Sequence, residues 1–210
     1  MDKLITWNRL NSFYAKNKRI IWPVLVLIIA FFTFFHNYTS PKAIYFDEAY
    51  HMASAEKYVK HVMFMEPHPP LGKLLMALGE VIIHPNNKLD LSAFLTTDGI
   101  SDYPPNFSPA GMRFFPVLLA SLSPLILYFI LLSISKRHLL SFLFTFFFLF
   151  ENSFIVHMRT ANIEGTQIFL ILLDILIFVK MFLGQLPKSK KHFLLLASLR
   201  VWRSRPNSIV

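Results

Sequence analysis

Residues 20–35 read IIWPVLVLIIAFFTFF, an apolar run without a single charged residue. A helix that crosses a bilayer needs roughly 20 mostly apolar residues, and three later segments have the same character, namely 114–133, 139–158 and 166–183. The sequence therefore predicts an all-α, polytopic membrane protein with four spans. A further apolar run begins at His192 and is broken by Arg200, Arg203 and Arg205, which we interpret as a truncated fifth span.

Composition supports this class and excludes others. The chain has 210 residues, of which 54% are hydrophobic and 23 are Phe, and its mean hydropathy is +0.48. It contains no cysteine, so disulfides and thiolate metal sites are excluded. The net charge is +9, but the basic residues form short clusters between apolar runs rather than one basic face. We expect no nucleic-acid partner, no metal and no cofactor.

The basic clusters also orient the chain. They precede the first span, join the second span to the third, and follow the fourth span. Because cytoplasmic loops carry an excess of Lys and Arg, residues 1–19 are predicted to be cytoplasmic and the long loop 36–113 external. Residues 20–196 form one predicted transmembrane domain, followed by an atypical tail at 197–210. The composition favours a bacterial plasma membrane, with the endoplasmic reticulum membrane as the alternative.

The external loop is expected to contain two helices on the membrane surface. Residues 47–62 are rich in helix formers, and residues 71–83 place apolar side chains on one helical stripe. The prolines around His68 must separate these helices, because proline removes a backbone donor and disfavours helix at the preceding residue. Residues 85–109 read as irregular loop.

The acidic pair Asp47 and Glu48 is the first candidate for chemistry. Adjacent residues on a helix diverge by about 100°, so the two carboxylates cannot point at one atom. One could face a reacting centre while the other holds a neighbouring helix, a cation or a hydrogen-bond donor. The alternative is that Asp47 merely caps the helix.

Four other residues complete the candidate set. His68, between two prolines, has a fixed direction and could position a ligand, or be a packed loop histidine; Lys73 could reach a phosphate or simply snorkel. Arg113 and Arg159 lie at the outer ends of the second and third spans. Guanidinium groups there could hold a phosphodiester, or anchor the spans at the boundary.

Three groups of residues resemble one known family, the protein O-mannosyltransferases. Phe46-Asp47-Glu48 with the later Glu66–Lys73 segment is similar to that family's first external loop. Met112–Pro116 resembles the start of its second span, and the stretch from Glu151 through Arg159 to Glu164 resembles a third motif. Glu151 and Glu164 stand where the family usually has aspartate.

The resemblance implies the N-terminal part of a type-C glycosyltransferase fold that transfers mannose from dolichyl or another polyprenyl phosphate to Ser or Thr of proteins on the non-cytoplasmic face. By that resemblance the catalytic residues are Asp47, as general base, and Glu48. Arg113 and Arg159 would bind the donor phosphate. Three residues would position the loop and the acceptor: His68, Lys73 and Glu164. Membrane lipids and a dimer partner are further implied.

Two other interpretations stay open. A related lipid-donor transferase could glycosylate a lipid or lipopolysaccharide. The resemblance covers about residues 20–185, and the sequence after Leu196 departs from the family. That departure is typical of an N-terminal fragment or a frameshifted product, which would be an inactive membrane protein.

Overall fold

The structure is a computed structural model that describes residues 2–66, 68–187 and 189, with side chains from residue 12 onward. Within these residues every regular element is a helix, which confirms the all-α prediction. The predicted fifth span and the tail at 197–210 lie outside the described residues.

In the part of the chain that the structure describes, three helices are long and apolar enough to cross a membrane. Helix α1, Asp2–Ala30, continues as a π-helical turn at Phe31–Phe35; α5 is Ala110–Ser135; and α8 is Glu164–Phe182. These confirm helices at the predicted first, second and fourth spans. Helix α1 begins well before the apolar run, because the preceding polar residues continue the same helix.

The third predicted span, residues 139–158, is not one helix. Helix α6, His138–Leu149, ends before Glu151, and α7, Asn152–His157, starts anew. Glu151 is extended at φ −69° and ψ 116°, and its carboxylate accepts a hydrogen bond from the backbone N–H of Ser153 at 3.3 Å. At 1.5 Å per residue, α6 is only about 18 Å long, shorter than the bilayer core.

The two short helices nevertheless follow α1 along much of its span. The Phe142 ring lies 5.0 Å from the Trp22 ring, and Arg159 donates to the carbonyl of Thr33. Trp22 and Thr33 lie near opposite ends of the apolar part of α1. The segment from α6 to Arg159 therefore runs between the same two levels as α1.

The external loop folds into a packed layer rather than two isolated surface helices. Its elements are α2, Glu48–Val59; α3, Leu71–Ile83; and α4, Ser92–Thr96. Helix α3 has the predicted bounds, α2 is shorter than predicted, and α4 was not predicted. Helix α2 lies between α3 and α4, and the three enclose an apolar core with these buried members: Met52, Ala55, Met76, Ala77, Phe94, Phe107 and Met112.

Helix α5 is the central support. It packs against α1, α3, α6 and α8. The α3–α5 crossing is so close that a Cβ on Gly79 would meet the carbonyl oxygen of Gly111. At the α5–α8 crossing, a Cβ on Gly165 would lie 2.7 Å from the carbonyl oxygen of Pro116. Glycine at these crossings lets the loop and α8 lie directly on α5.

Candidate active site

A tight turn at Tyr45–Glu48 begins α2 and sets the directions of the acidic pair. The N–H of Glu48 donates to the carbonyl of Tyr45 at 3.0 Å, and the N–H of Tyr45 donates back to Oε2 of Glu48 at 3.1 Å. The Glu48 side chain is completely buried, whereas Asp47 is partly exposed. The predicted divergence of the two carboxylates is therefore present.

Glu48 forms a buried, two-pronged ion pair with Arg113. Nε of Arg113 donates to Oε1 at 2.6 Å and Nη2 donates to Oε2 at 2.8 Å, with both side chains 0% exposed. The N–H of Ala161 also donates to Oε1, at 2.8 Å. One carboxylate thus joins α2, α5 and the chain before α8.

The other N–H groups of Arg113 are also occupied. Nη1 donates to the carbonyls of Pro41 at 2.8 Å and Tyr38 at 3.5 Å, and Nη2 donates to Ala43 at 3.1 Å and to the Tyr103 hydroxyl at 3.2 Å. Arginine has five N–H donors, and all five have acceptors here. Burial, followed by the charge of Glu48, raises the pKa of Tyr103, so its hydroxyl stays protonated.

This geometry bears on two predicted roles, which stay predictions. Arg113 was expected to hold the donor phosphate, but it is buried and has no N–H left to offer. Glu48 was expected among the catalytic residues, but both of its oxygens accept hydrogen bonds inside the protein. In the described structure the contacts of both residues join α2, α5 and the neighbouring chain.

Asp47 has the opposite environment. Among the residues that the structure describes, its carboxylate accepts no hydrogen bond and forms no ion pair, and it makes no cap bond to the first turn of α2. The helix-cap alternative is therefore not observed. A partly exposed carboxylate without a partner is free to accept a proton from a substrate.

Arg159 reaches the same end of the molecule. Its Nη1 donates to Thr33 at 3.3 Å, and its Nη2 donates to His36 at 3.0 Å and Asn37 at 3.2 Å, so it caps the end of α1. Its Nε–H has no acceptor within the described part of the chain. Burial, and then the charge of Arg113, lower the pKa of Arg159.

Lys73 and His68 belong to a polar cluster under the α2–α3 connection. Lys73 is 2% exposed, and its Nζ donates to Oε1 of Glu66 at 2.6 Å and to the Ser54 hydroxyl at 3.3 Å. Lys73 therefore neither snorkels nor faces an open phosphate site. His68 is about half exposed, and its backbone N–H donates to the same Glu66 oxygen.

Sequence reasoning missed two members of this cluster, Glu66 and His51. The His51 ring lies 5.8 Å from that of His68, and burial, then the charges of Lys73 and His68, lower the pKa of His51 to about 4. His51 is therefore neutral near pH 7. Glu66 could have been predicted from its short sequence separation from Lys73, since a buried lysine requires a nearby acid.

Glu164 is the first residue of α8, where the helix dipole stabilises a negative charge. Its Oε2 is buried and has no hydrogen-bond partner in the described structure. The preceding Ile163 lies against Gly72 at the start of α3. Glu164 thus lies beside the α2–α3 connection. The described residues contain no group of three or more His, Cys, Asp and Glu suited to a metal ion.

The chain is similar in sequence to proteins of one known family. Residues 24–201 match the family described as dolichyl-phosphate-mannose-protein mannosyltransferase. Dolichyl-phosphate-mannose--protein mannosyltransferase 1 of Candida albicans is 31% identical over 147 residues, which are 70% of this chain and 16% of the relative. Human protein O-mannosyl-transferase 1 is 30% identical over 145 residues, which are 69% of this chain and 19% of the relative.

The fold also resembles a solved structure, the S. cerevisiae protein O-mannosyltransferase Pmt1-Pmt2 complex bound to the sugar donor. The TM-score is 0.74 at 23% sequence identity, covering 88% of this chain and 25% of that chain. This likeness shows the fold. The chain spans about a fifth of the length of the curated relatives named above.

Proposed function

The chain belongs to the dolichyl-phosphate-mannose-protein mannosyltransferase family, and we propose that the protein transfers mannose from a polyprenyl-phosphate donor to Ser or Thr of acceptor proteins. Transfer takes place on the non-cytoplasmic face of the membrane. The observation that carries this proposal is the Asp47 carboxylate, which has no partner among the described residues and lies next to a fully occupied Glu48–Arg113 pair. Asp47 is available for chemistry because Glu48, and not Asp47, forms the buried ion pair.

Asp47 acts as the general base. It accepts the proton of the acceptor hydroxyl as that oxygen bonds to the anomeric carbon of the sugar. The bond between that carbon and the phosphate oxygen breaks, and the polyprenyl phosphate leaves with the bonding electron pair. Negative charge therefore grows on the phosphate while the acceptor proton moves to Asp47.

Arg159 is the guanidinium that meets the leaving phosphate. It is partly exposed, and its Nε–H has no acceptor among the described residues, while its other contacts fix it to the end of the π-helical turn that follows α1. A fixed positive charge stabilises negative charge that develops in the transition state. Arg113 assists only by holding Glu48 and the chain around Pro41.

His68, Lys73 and Glu164 position the acceptor side of the site. Lys73 and Glu66 fix the connection from which the half-exposed His68 projects. Glu164 offers a carboxylate oxygen without a partner at the adjacent start of α8. These contacts support a role in orienting the acceptor rather than in proton transfer.

The decisive test is Asp47→Asn in the protein expressed from its complete gene. Transfer of labelled mannose from polyprenyl phosphate to a Ser/Thr peptide should fall by about 10²- to 10⁴-fold, the usual contribution of a general base. The matched control is Asp102→Asn, an exposed acid in the same loop, which should keep full transfer. Unchanged transfer in Asp47→Asn would remove this residue from the mechanism.

Separate experiments are needed to identify the acceptor class, the membrane in which the protein resides and its oligomeric state. Transfer to lipid or lipopolysaccharide instead of peptide would support the alternative transferase. The Lys- and Phe-rich composition supports a bacterial plasma membrane, while the fungal and human relatives support the endoplasmic reticulum. Dimer formation remains a prediction, which light scattering on the purified protein would test.

A further inference from the structure

Phe46 adopts a backbone conformation that a phenylalanine seldom takes. Its φ is +49°, and it is the second residue of the Tyr45–Glu48 turn. Turns with a positive φ at this position are usually occupied by Gly, Asn or Asp. For a bulky L-residue the left-handed region is unfavourable, because Cβ comes too close to the following carbonyl oxygen.

Packing does not explain why phenylalanine occupies this position. The Phe46 side chain is 69% exposed. Its described ring neighbours are Tyr45, at 6.5 Å, and His157, which meets it edge-on at 6.2 Å and 86°. The chain therefore accepts backbone strain without burying the ring, an arrangement found at ligand-binding sites.

The ring is also oriented by its neighbours. His157 lies edge-on to both Tyr45, at 5.7 Å, and Phe46. The rings of Tyr45, Phe46 and His157 thus form an aromatic cluster. Phe46 is the residue immediately before Asp47. The Phe46 ring is therefore attached one residue before the carboxylate that is proposed to act in sugar transfer.

We propose that the pyranose ring of the donor sugar stacks on Phe46. This inference rests on the proposed transfer function and adds a sugar-binding surface to it. The face of an aromatic ring carries partial negative charge and attracts the partly positive C–H groups of a sugar face. The same face favours the positive charge that develops at the anomeric carbon as the phosphate leaves.

The test compares Phe46→Leu, Phe46→Trp and Phe46→Gly in the full-length protein in nanodiscs. Affinity is measured for polyprenyl-phosphate mannose and for polyprenyl phosphate without sugar. Leu keeps apolar bulk but has no aromatic face, so it should weaken binding of the mannosylated lipid about tenfold, the size of one aromatic stacking interaction. It should leave binding of the sugar-free lipid unchanged, and Trp should retain both affinities.

Stability provides the second readout. Phe46→Gly should weaken binding of the mannosylated lipid like Leu, yet keep or raise the melting temperature, because glycine relieves the positive-φ strain. Tyr50→Leu, which removes an exposed aromatic ring of the nearby α2, is the matched control and should bind both lipids normally.

Several results would overturn the inference. Wild-type affinity of Phe46→Leu for the mannosylated lipid would show that the ring serves apolar contact, such as with the bilayer. Equal weakening for both lipids would place the ring against phosphate or polyprenyl chain. A lower melting temperature of Phe46→Gly would indicate a structural role. Sugar-dependent binding that Phe46→Leu weakens, in a protein without transfer activity, would refute the proposed function and leave this inference standing.

Discussion

The adjacent acidic residues Asp47 and Glu48 have opposite environments. Glu48 is buried and accepts four hydrogen bonds, from Tyr45, Ala161 and Arg113, whereas Asp47 accepts none among the described residues. The sequence predicted that the two would diverge, because neighbouring helical positions do. It could not predict which one turns inward, since the partner Arg113 lies 65 residues away.

Glu48→Gln should destabilise the fold strongly. The substitution leaves the buried Arg113 charge without its counter-charge, and breaking a buried pair in this way costs about 3–5 kcal/mol. We expect a clear fall in the melting temperature of the purified protein in detergent. Asp47→Asn, at the next position, is the matched control and should melt like the wild type. Equal melting of Glu48→Gln and wild type would refute the positioning role of the pair.

At the scale of elements, local signals predicted most helices and missed one break. The bounds of α3 follow from the proline-rich start and the apolar stripe, and both appear in the structure. The third span was predicted as one helix because the prediction used only the length of its apolar run. Glu151 followed by Ser153 is a local capping signal, and a capping side chain can begin a new helix even within an apolar run.

The α3–α5 crossing depends on glycine. Gly79→Ala should destabilise the loop layer by about 1–3 kcal/mol, the usual cost of overpacking, because its Cβ would meet the backbone of Gly111. Gly72→Ala on the same helix is the control, since the atom nearest to its Cβ would be Cγ2 of the Ile163 side chain, at 3.0 Å, and the nearest backbone atom lies at 3.6 Å. Limited proteolysis of the external loop measures the effect. Equal protection of the two variants would show that the crossing tolerates a methyl group.

The stability of the loop layer should also depend on pH through Glu80. Burial, then the charge of Glu56, raises the pKa of Glu80 from 4.5 to about 7, although Asn86 donates a hydrogen bond to it at 2.9 Å. The folded state then keeps a proton that the unfolded state releases. The contribution of Glu80 to stability should therefore fall as pH rises from about 4.5 to about 7 and level off above that, whereas His51, with its pKa lowered to about 4, contributes in the opposite sense below about pH 6.5.

Melting curves at pH 5.5 and pH 8 measure this dependence. Glu80→Gln cannot titrate, so relative to the wild type its stability should shift in favour of pH 8, because only the opposite contribution of His51 remains. The same pH difference in Glu80→Gln and wild type would assign the effect to another group.

At the scale of the whole molecule, α5 joins the membrane spans to the external layer. Arg113, near its start, connects to α2, to the chain after α1 and to Tyr103 of the loop. The sequence predicted the spans and the loop separately, from apolar length and basic clusters. The way in which these parts meet could not be predicted, because it depends on contacts between residues far apart in sequence.

The proposed transfer reaction depends most on the side of the membrane on which the external loop lies. Asp47 can act on a lipid-linked donor outside the cytoplasm only if residues 36–113 lie on that face. The chain has no cysteine, so single cysteines can be introduced at two exposed positions, Ser101→Cys in the loop and Lys136→Cys between α5 and α6. Both lie outside the proposed site.

The measurement is labelling of these variants with a membrane-impermeant maleimide in sealed membranes of known orientation. Reagent on the non-cytoplasmic side should label Ser101→Cys at once and Lys136→Cys only after the membrane is permeabilised. The reverse pattern would place Asp47 in the cytoplasm and contradict the proposed transfer reaction.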